Sequence, residues 1–443
     1  MSYLDNILFA IVLGLGFGYF YLNIKKLVRN INLGIAVDRK DNAKARWKNM
    51  AMIALGQSKM VKRPVAGLLH IIVYVGFVII NIELLEIIID GLFGTHRIFA
   101  FLGSIYNFLI ASFEILAALV LVAVLVFWTR RNMIQLNRFR SSDLNGNPKK
   151  DANYILYFEV VLMTLFLLMN ASDLHLQNVP GGYSHFIKAG SFPISQFLEP
   201  FFNGMSNELV MLLSELFWWL HIVGILVFMN YLYFSKHLHI LLAFPNTYFA
   251  NLNPEGQFDN LASVTNEVKL MMDPNADPFA AAPEPAITPS KFGASDVQDL
   301  NWVQLLNAYT CTECGRCTSS CPANQTGKKL SPRKIMMDTR DRLEEVGKNI
   351  DANKGVFIPD NKTLLNDYIS AEELWACTSC NACVEECPVS ISPLSIIMDM
   401  RRYLVMEQSA APTALNAMMT NIENNGAPWQ YNQMDRLNWA NEE

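Results

Sequence analysis

Cysteine is missing from most of this chain. All eight cysteines of its 443 residues fall between Cys311 and Cys387. So narrow a distribution leaves nothing for a disulfide framework elsewhere, and clustered thiols belong in a reducing, cytoplasmic-side compartment. Charge is also scarce: 17% of residues are charged against 52% hydrophobic. The net charge of −5 argues against a nucleic-acid partner. No G-x-G-x-x-G follows a strand, so no nicotinamide or flavin signature is present. No C-x-x-C-H occurs, which excludes covalently attached c-type haem. A cleavable leader is not expected, because the first apolar run starts almost at Met1 without a basic leader or a small-residue cleavage site.

What is present begins with the cysteines. Cys311, Cys314, Cys317, Cys321 and Pro322 read C-x2-C-x2-C-x3-C-P, and Cys377, Cys380, Cys383, Cys387 and Pro388 repeat the spacing. This doubled run is the signature of bacterial two-cluster ferredoxins, in which the fourth cysteine of each run ligates the other cluster. The expected ligand sets are Cys311, Cys314 and Cys317 with Cys387, and Cys377, Cys380 and Cys383 with Cys321. Two residues between cysteines let a tight loop wrap one cubane, and the proline turns the chain away. Zinc is the rival, since C-x2-C pairs also bind it. Zinc sites use two pairs, however, whereas this pattern gives a triplet plus one, twice.

Five apolar runs precede residue 245: about Tyr3–Ile24, Ala66–Ile89, Ile98–Trp128, Tyr154–Met169 and Leu209–Phe234. A spanning helix needs roughly 20 apolar residues, and the fourth run reaches that only if it continues through Leu176. The alternative, buried helices of a soluble protein, needs several long helices that are apolar all round. Lys and Arg crowd Lys25–Arg63 and Arg130–Lys150, while the other two connections offer Arg97 and Lys188. Basic loops stay inside, so the expected topology puts the N-terminus outside and everything after helix five in the cytoplasm. The fold class expected is all-α: a five-helix transmembrane bundle followed by a cytoplasmic α-helical dicluster ferredoxin domain. Its parts are a membrane domain over 1–245, a polar, proline-rich linker over 246–295, the cluster domain over 296–409 and a partner-binding tail over 410–443.

All seven histidines precede residue 245. Ionisable groups within a bilayer are functional candidates. The 18 positions from His221 to His239 make five whole helical turns at ~100° per residue, which would put both on one face of a single helix, roughly 27 Å apart. His70 opens helix two level with His237 and His239. A b-type haem takes a neutral imidazole from either side, so one haem is expected between His70 and His239. A second would use His221, with His175 as its best candidate partner. His237 and His175 read equally well as hydrated interfacial residues. His96 and His185 read as plain surface residues of the outer loops. Glu83, Glu86, Glu114, Glu159 and Glu215 lie in apolar helices and are candidates for a quinone proton path. Glu114 is nearest mid-membrane, whereas Glu83, Glu86 and Asp90 fit the outer interface.

The stretch LLNAYTCTECGRCTSSCPANQTGKKLSPRKI resembles the ferredoxin part of heterodisulfide-reductase-like iron–sulfur proteins, which include membrane-bound electron-transfer-flavoprotein:quinone oxidoreductases. The stretch WWLHIVGILVFMNYLYFSKHLHIL resembles the last helix of their membrane domain, which is similar to the γ subunit of respiratory nitrate reductase. There a Ser-Lys-x-x-His element supplies a haem ligand, matching Ser235, Lys236 and His239, and the first histidine of that helix matches His221. The nitrate reductase subunit has two histidines in its second helix. Here only His70 is found, and Ile80 stands ten residues on. Members of this group often continue into Cys-Cys-Gly repeats. The final NNGAPWQYNQMDRLNWANEE is similar to the lead-in, which implies a Cys-Cys-Gly-domain iron–sulfur subunit as partner.

The resemblance therefore implies a quinone-linked, respiratory-chain oxidoreductase subunit of the cytoplasmic membrane. Electrons would pass from a cytoplasmic donor, such as an electron-transfer flavoprotein, over two 4Fe-4S clusters and one or two b-type haems to menaquinone or another quinone. No catalytic residue is assigned. Alternatives are the membrane subunit of a heterodisulfide or thiol reductase, and a non-enzymatic iron–sulfur anchor or redox sensor.

Overall fold

The computed structural model describes residues 3–179, 186–254, 256–274 and 291–441. Among these, helices account for the architecture and no strand forms; the pairings present are two isolated bridges. Five helices are long and apolar enough to cross a membrane. They are α1 (Tyr3–Ile31), α2 (Pro64–Phe93), α3 (Ser104–Asn132), α4 (Asn147–Gln177) and α5 (Asn207–Tyr231). These helices form because aliphatic and aromatic residues dominate each of them, and in lipid every backbone amide must bond within its own segment. Proline marks two starts, Pro64 and Pro148, where a missing N–H is harmless. Ser206 caps α5 by accepting from Leu209 N at 3.3 Å.

The helices form a ring in which α1 packs on α2 and α5, and α2, α3, α4 and α5 pack in succession. Lipid supplies no hydrophobic drive between helices, so close approach depends on small residues. A Cβ on Gly76 of α2 would meet Val120 of α3 at 2.7 Å, and one on Gly224 of α5 would meet Leu162 of α4 at 2.8 Å. Large apolar side chains such as Leu15, Leu119 and Val122 stand exposed on the outer surface. That is the surface a bilayer would cover.

Two expected segments need correcting. The run Ile98–Trp128 is not one helix. Ile98–Leu102 forms a 3-10 turn and α3 begins only after Gly103, whose φ of 59° and ψ of −121° suit glycine alone. The fourth run does extend, through Leu176 to Gln177. The final helix ends at Tyr231, after which two 3-10 turns, Leu232–Phe234 and Lys236–Leu238, redirect the chain into α6 (His239–Tyr248). His221 and His239 therefore do not lie on one continuous helix.

The cysteine module repeats its own plan. Helix α7 (Trp302–Thr310) starts with the capping box Asn301/Gln304 and ends at Cys311; the short helix Ala371–Ala376 starts with Ser370/Glu373 and ends at Cys377. Each run then leads to a Ser-Pro-started helix, α8 (Pro332–Ala352) and α9 (Pro393–Met406), capped by Ser331 and Ser392. Ala294 and Ser295 are already buried, so the module begins slightly before residue 296. Of the expected linker, Ala262–Met272 is helical, while residues 275–290, including the Ala-Ala-Ala-Pro-Glu-Pro stretch, lie outside the described residues. Thr413–Asn425 forms a further helix, α10, with no buried residue.

The module sits on the end of the bundle that carries the basic loops. Arg333 is fully buried and donates to Asp143 in the α3–α4 loop at 2.6 and 3.0 Å. Arg63 pairs with Glu386 at 2.9 Å, and Arg316 donates to Lys59 O at 3.1 Å. Asn30 of α1 donates to Tyr309 at 3.0 Å, and Asn246 of α6 to Val389 O at 2.7 Å.

Candidate functional site

The two cysteine runs fold alike because the same turn recurs in each. Glu313 and Ser379, within the C-x2-C loops, both take a positive φ, as do Gly315 and Asn381 just after them. Cys311, Cys314, Cys317 and Cys387 line one cavity of roughly 390 Å³, with Cys383 also on its wall. Burial, followed by its neighbours Cys377, Cys321 and Cys380, pushes the Cys383 thiol up to about 12. Burial together with Cys314 pushes Cys387 up to about 11. The fourth cysteine of each run thus stands among the first three of the other. The thiols ring a space instead of converging: among the described residues, no three histidine, cysteine or acidic side chains stand close enough to hold a single metal ion. Such thiols resist ionising alone, so a cationic inorganic core is what would stabilise them as thiolates.

The first run faces the bundle. Lys236, whose side chain is 8% exposed, pairs with Glu313 between Cys311 and Cys314. Glu313 also accepts from Arg340 at 2.9 Å. Burial opposes its charge, but Lys236 and Arg340 hold its carboxyl below the ordinary value. In the second run, Cys380 is exposed.

Three histidines meet directly beneath that contact. The His70 and His239 rings face one another with centroids 6.4 Å apart, and His237 stands 5.3 Å from His239. With metal–nitrogen bonds of about 2.0 Å, imidazoles on opposite sides of one iron sit about 6 Å apart by centroid, so the pair fits a b-type haem. His239 Nδ1 donates to Lys236 O at 3.2 Å, leaving its Nε2 lone pair for a metal. His70 Nδ1 is buried without a hydrogen-bond partner. Burial lowers His239 and drives His237 down to about 3, which keeps both as neutral imidazoles, the ligand form.

His221 lies deeper, inside the ring. Its Nδ1 donates to Leu162 O at 3.1 Å, and its ring packs on Phe166 at 5.9 Å. The structure does not bring His175 to it. His175 bonds Glu199 at 2.6 Å and packs on Phe202. Along α4 it is 13 residues beyond Leu162, or roughly 20 Å at the helical rise. Ile80 lines the same cavity as His221.

The acidic residues separate by partner. Glu114, expected nearest mid-membrane, accepts from Ile194 N at 2.9 Å and Ser195 N at 3.1 Å and so pins the outer loop. Glu86 accepts from Phe99 N and Tyr106, and Asp90 from Arg97 N. Buried Arg97 bonds Asp173 at 2.5 Å. His96 is no plain surface residue: it pairs with the same Asp173 at 3.2 Å. His185 lies outside the described residues. Glu83 differs from the rest. It is 4% exposed, its Oε2 has no partner, and it lines two cavities. Sequence reading placed it at the outer interface with Glu86 and Asp90, and its position along the helix does not set it apart from them.

Residues 306–391 match the 4Fe-4S dicluster domain, which supports two 4Fe-4S clusters in this part of the chain. Over 99% of its length the chain is 28% identical to "Probable iron-sulfur-binding oxidoreductase FadF" of Bacillus subtilis, covering 61% of that protein. Over 92% of its length it is 26% identical to "EtfAB:quinone oxidoreductase" of Syntrophomonas wolfei, covering 55% of it. A shorter stretch, 24% of the chain, is 35% identical to one component of the ferredoxin/F(420)H(2)-dependent CoB-CoM heterodisulfide reductase of Methanosarcina acetivorans and covers 52% of that component. The chain thus spans 61% and 55% of the first two relatives' length. These similarities support an iron–sulfur oxidoreductase. No solved structure matches the chain.

Proposed function

We propose that this chain is the membrane electron-transfer unit of a quinone-linked oxidoreductase. The observation that carries the reading is the stacking of three features at one end of the bundle: the Cys311–Cys317 loop, the Lys236–Glu313 pair, and the facing rings of His70 and His239. Cys311, Cys314, Cys317 and Cys387 would hold the cluster next to the membrane, and Cys377, Cys380, Cys383 and Cys321 the outer one. When bound, two 4Fe-4S clusters and a b-type haem supply one-electron carriers between a water-soluble donor and membrane quinone.

The residues do the positioning. Lys236 precedes His239 by three and is tied to Glu313, so one turn of chain fixes both the first cysteine loop and a haem ligand. Exposed Cys380 leaves the second run open to a donor or to a Cys-Cys-Gly domain carried outside these residues. Electron-transfer flavoprotein is the donor that the Syntrophomonas relative's name supports. The basic loops at the module's end of the bundle support a cytoplasmic side for it.

The test is a stopped-flow experiment on the full chain in lipid nanodiscs. Dithionite reduces the protein, excess reductant is removed, and menadione is added anaerobically. Prompt return of the iron–sulfur absorbance supports the proposal. Clusters that stay reduced with menadione overturn its quinone link.

A further inference from the structure

The resemblance to the nitrate reductase subunit places a second haem at the level of His221, yet among the described residues no other histidine lines its cavity. Ile80 is in the wall of that cavity, and His175 is held elsewhere by Glu199. What is present is a cavity of roughly 680 Å³, mouth included, enclosed by α2, α3, α4 and α5. Its wall is mostly apolar, with Gly76, Val120, Phe166 and Phe228 among its residues, and its polar groups include His221, Glu83 and Glu159. Phe77 on its rim is 46% exposed, so the cavity opens on the surface a bilayer covers.

We propose that this cavity binds the head group of a quinone, an aromatic dicarbonyl, in the place where a second haem would otherwise sit, with His221 and Glu83 as its two hydrogen-bonding partners. The inference rests on the quinone-linked reading above and assigns its site.

Three observations support it. The first is the pair of polar groups. With Nδ1 committed to Leu162 O, His221 presents Nε2 to the cavity. The orphaned Oε2 of Glu83 is buried in the same wall, and an unpaired buried carboxyl calls for a ligand partner. Few, placed polar groups in an apolar cleft are what orient a small aromatic ligand. The second is proximity to the redox end. Phe228 lines the cavity and packs on His237 at 5.6 Å, and His237 stands 5.3 Å from His239. The third is a proton route. Glu83 also lines the outer cavity, of about 1290 Å³, with Asp5, Glu86, Asp90, His96 and Arg97.

On reduction the quinone gains two electrons, delivered singly from the reduced iron–sulfur centres of this chain, and one proton at each carbonyl oxygen. Glu83 gives one proton; Nε2 of His221, when protonated, gives the other. Glu83, which lines both cavities, takes up a proton from the outer one and passes a second to His221 across the cavity the two share, and no bond to the protein forms. The hydroquinone then donates its hydroxyls to Nε2 and to the Glu83 carboxylate. Oxidation of a quinol runs the same transfers backwards.

The experiment uses the full chain in nanodiscs, as wild type, His221→Leu and Glu83→Gln. Haem and iron are assayed, binding of 2-heptyl-4-hydroxyquinoline N-oxide is followed by fluorescence quenching, and re-oxidation by menadione is timed. The expected result is one haem per wild-type chain and unchanged haem and iron in both variants. His221→Leu should bind the inhibitor at least about tenfold more weakly, and Glu83→Gln should re-oxidise at least about tenfold more slowly. Loss of haem in His221→Leu overturns the proposal, because the cavity then holds a haem. Wild-type binding and re-oxidation in Glu83→Gln with its iron and haem intact also overturn it, even if His221→Leu does not fold. Either result leaves the quinone link standing, since wild type would still react with menadione; that link fails only if wild type does not react.

Discussion

The cysteine module and the membrane bundle both bury polar groups, but they treat them differently. In the module the buried arginines are saturated: Arg342, 0% exposed, reaches Asp296, Asp360 and Lys362 O, and Arg333 reaches Asp143 and Arg138 O. In the bundle, the side chains left with orphaned atoms include His70 and Glu83. Buried polar groups are nearly always paired, so the contrast separates structural charge from ligand-directed polarity. The module fixes its shape with ion pairs and keeps its chemistry in thiols. The bundle also pairs buried charge, as Arg97 with Asp173 and Glu114 with two backbone amides show, but it leaves His70 Nδ1 and Glu83 Oε2 bare.

Three substitutions sharpen that contrast. The largest effect is expected from Cys314→Ala, which removes a thiol from the set facing the bundle. Iron should fall from about eight to about four per chain, since each cubane holds four, and iron analysis with electron paramagnetic resonance reads the loss. Haem content should be unchanged. Next is Arg333→Met at the seam between the regions. It strands Asp143 as a buried carboxylate without its bidentate partner, which costs about 3–5 kcal/mol. A lower thermal midpoint for bleaching of the cluster absorbance measures it, and an unchanged midpoint would show that the seam is held by other contacts. The smallest is Gly76→Val in the bundle. The added carbons press on Val120, which costs about 1–3 kcal/mol. The helical unfolding transition in detergent should drop while the iron content holds.

The module was legible because its information is local. The doubled cysteine spacing marks the module, and a Ser-Pro pair after each run, Ser331-Pro332 and Ser392-Pro393, sits where the helices Pro332–Ala352 and Pro393–Met406 begin. The membrane runs were legible by length, except where Gly103 breaks one. The bundle's site was only partly so. His70 and His239 do face each other, but the arithmetic of five whole turns assumed a helix that stops at Tyr231. His175 and His221 fail to meet because their depth depends on where α4 and α5 start, which periodicity does not register. Glu83 and Glu114 look alike in sequence. Only the fold shows that backbone amides satisfy one and leave the other bare.

The central claim is that one haem lies between His70 and His239, beside two iron–sulfur clusters. The most direct measurement is a reduced-minus-oxidised spectrum of the purified full chain and of its His239→Ala variant, with metals quantified. The account predicts b-type bands and about eight irons per wild-type chain, and in the variant no b-type bands with iron unchanged. Zinc in place of iron, no Soret band in the wild type, or the same haem bands in the variant would contradict it.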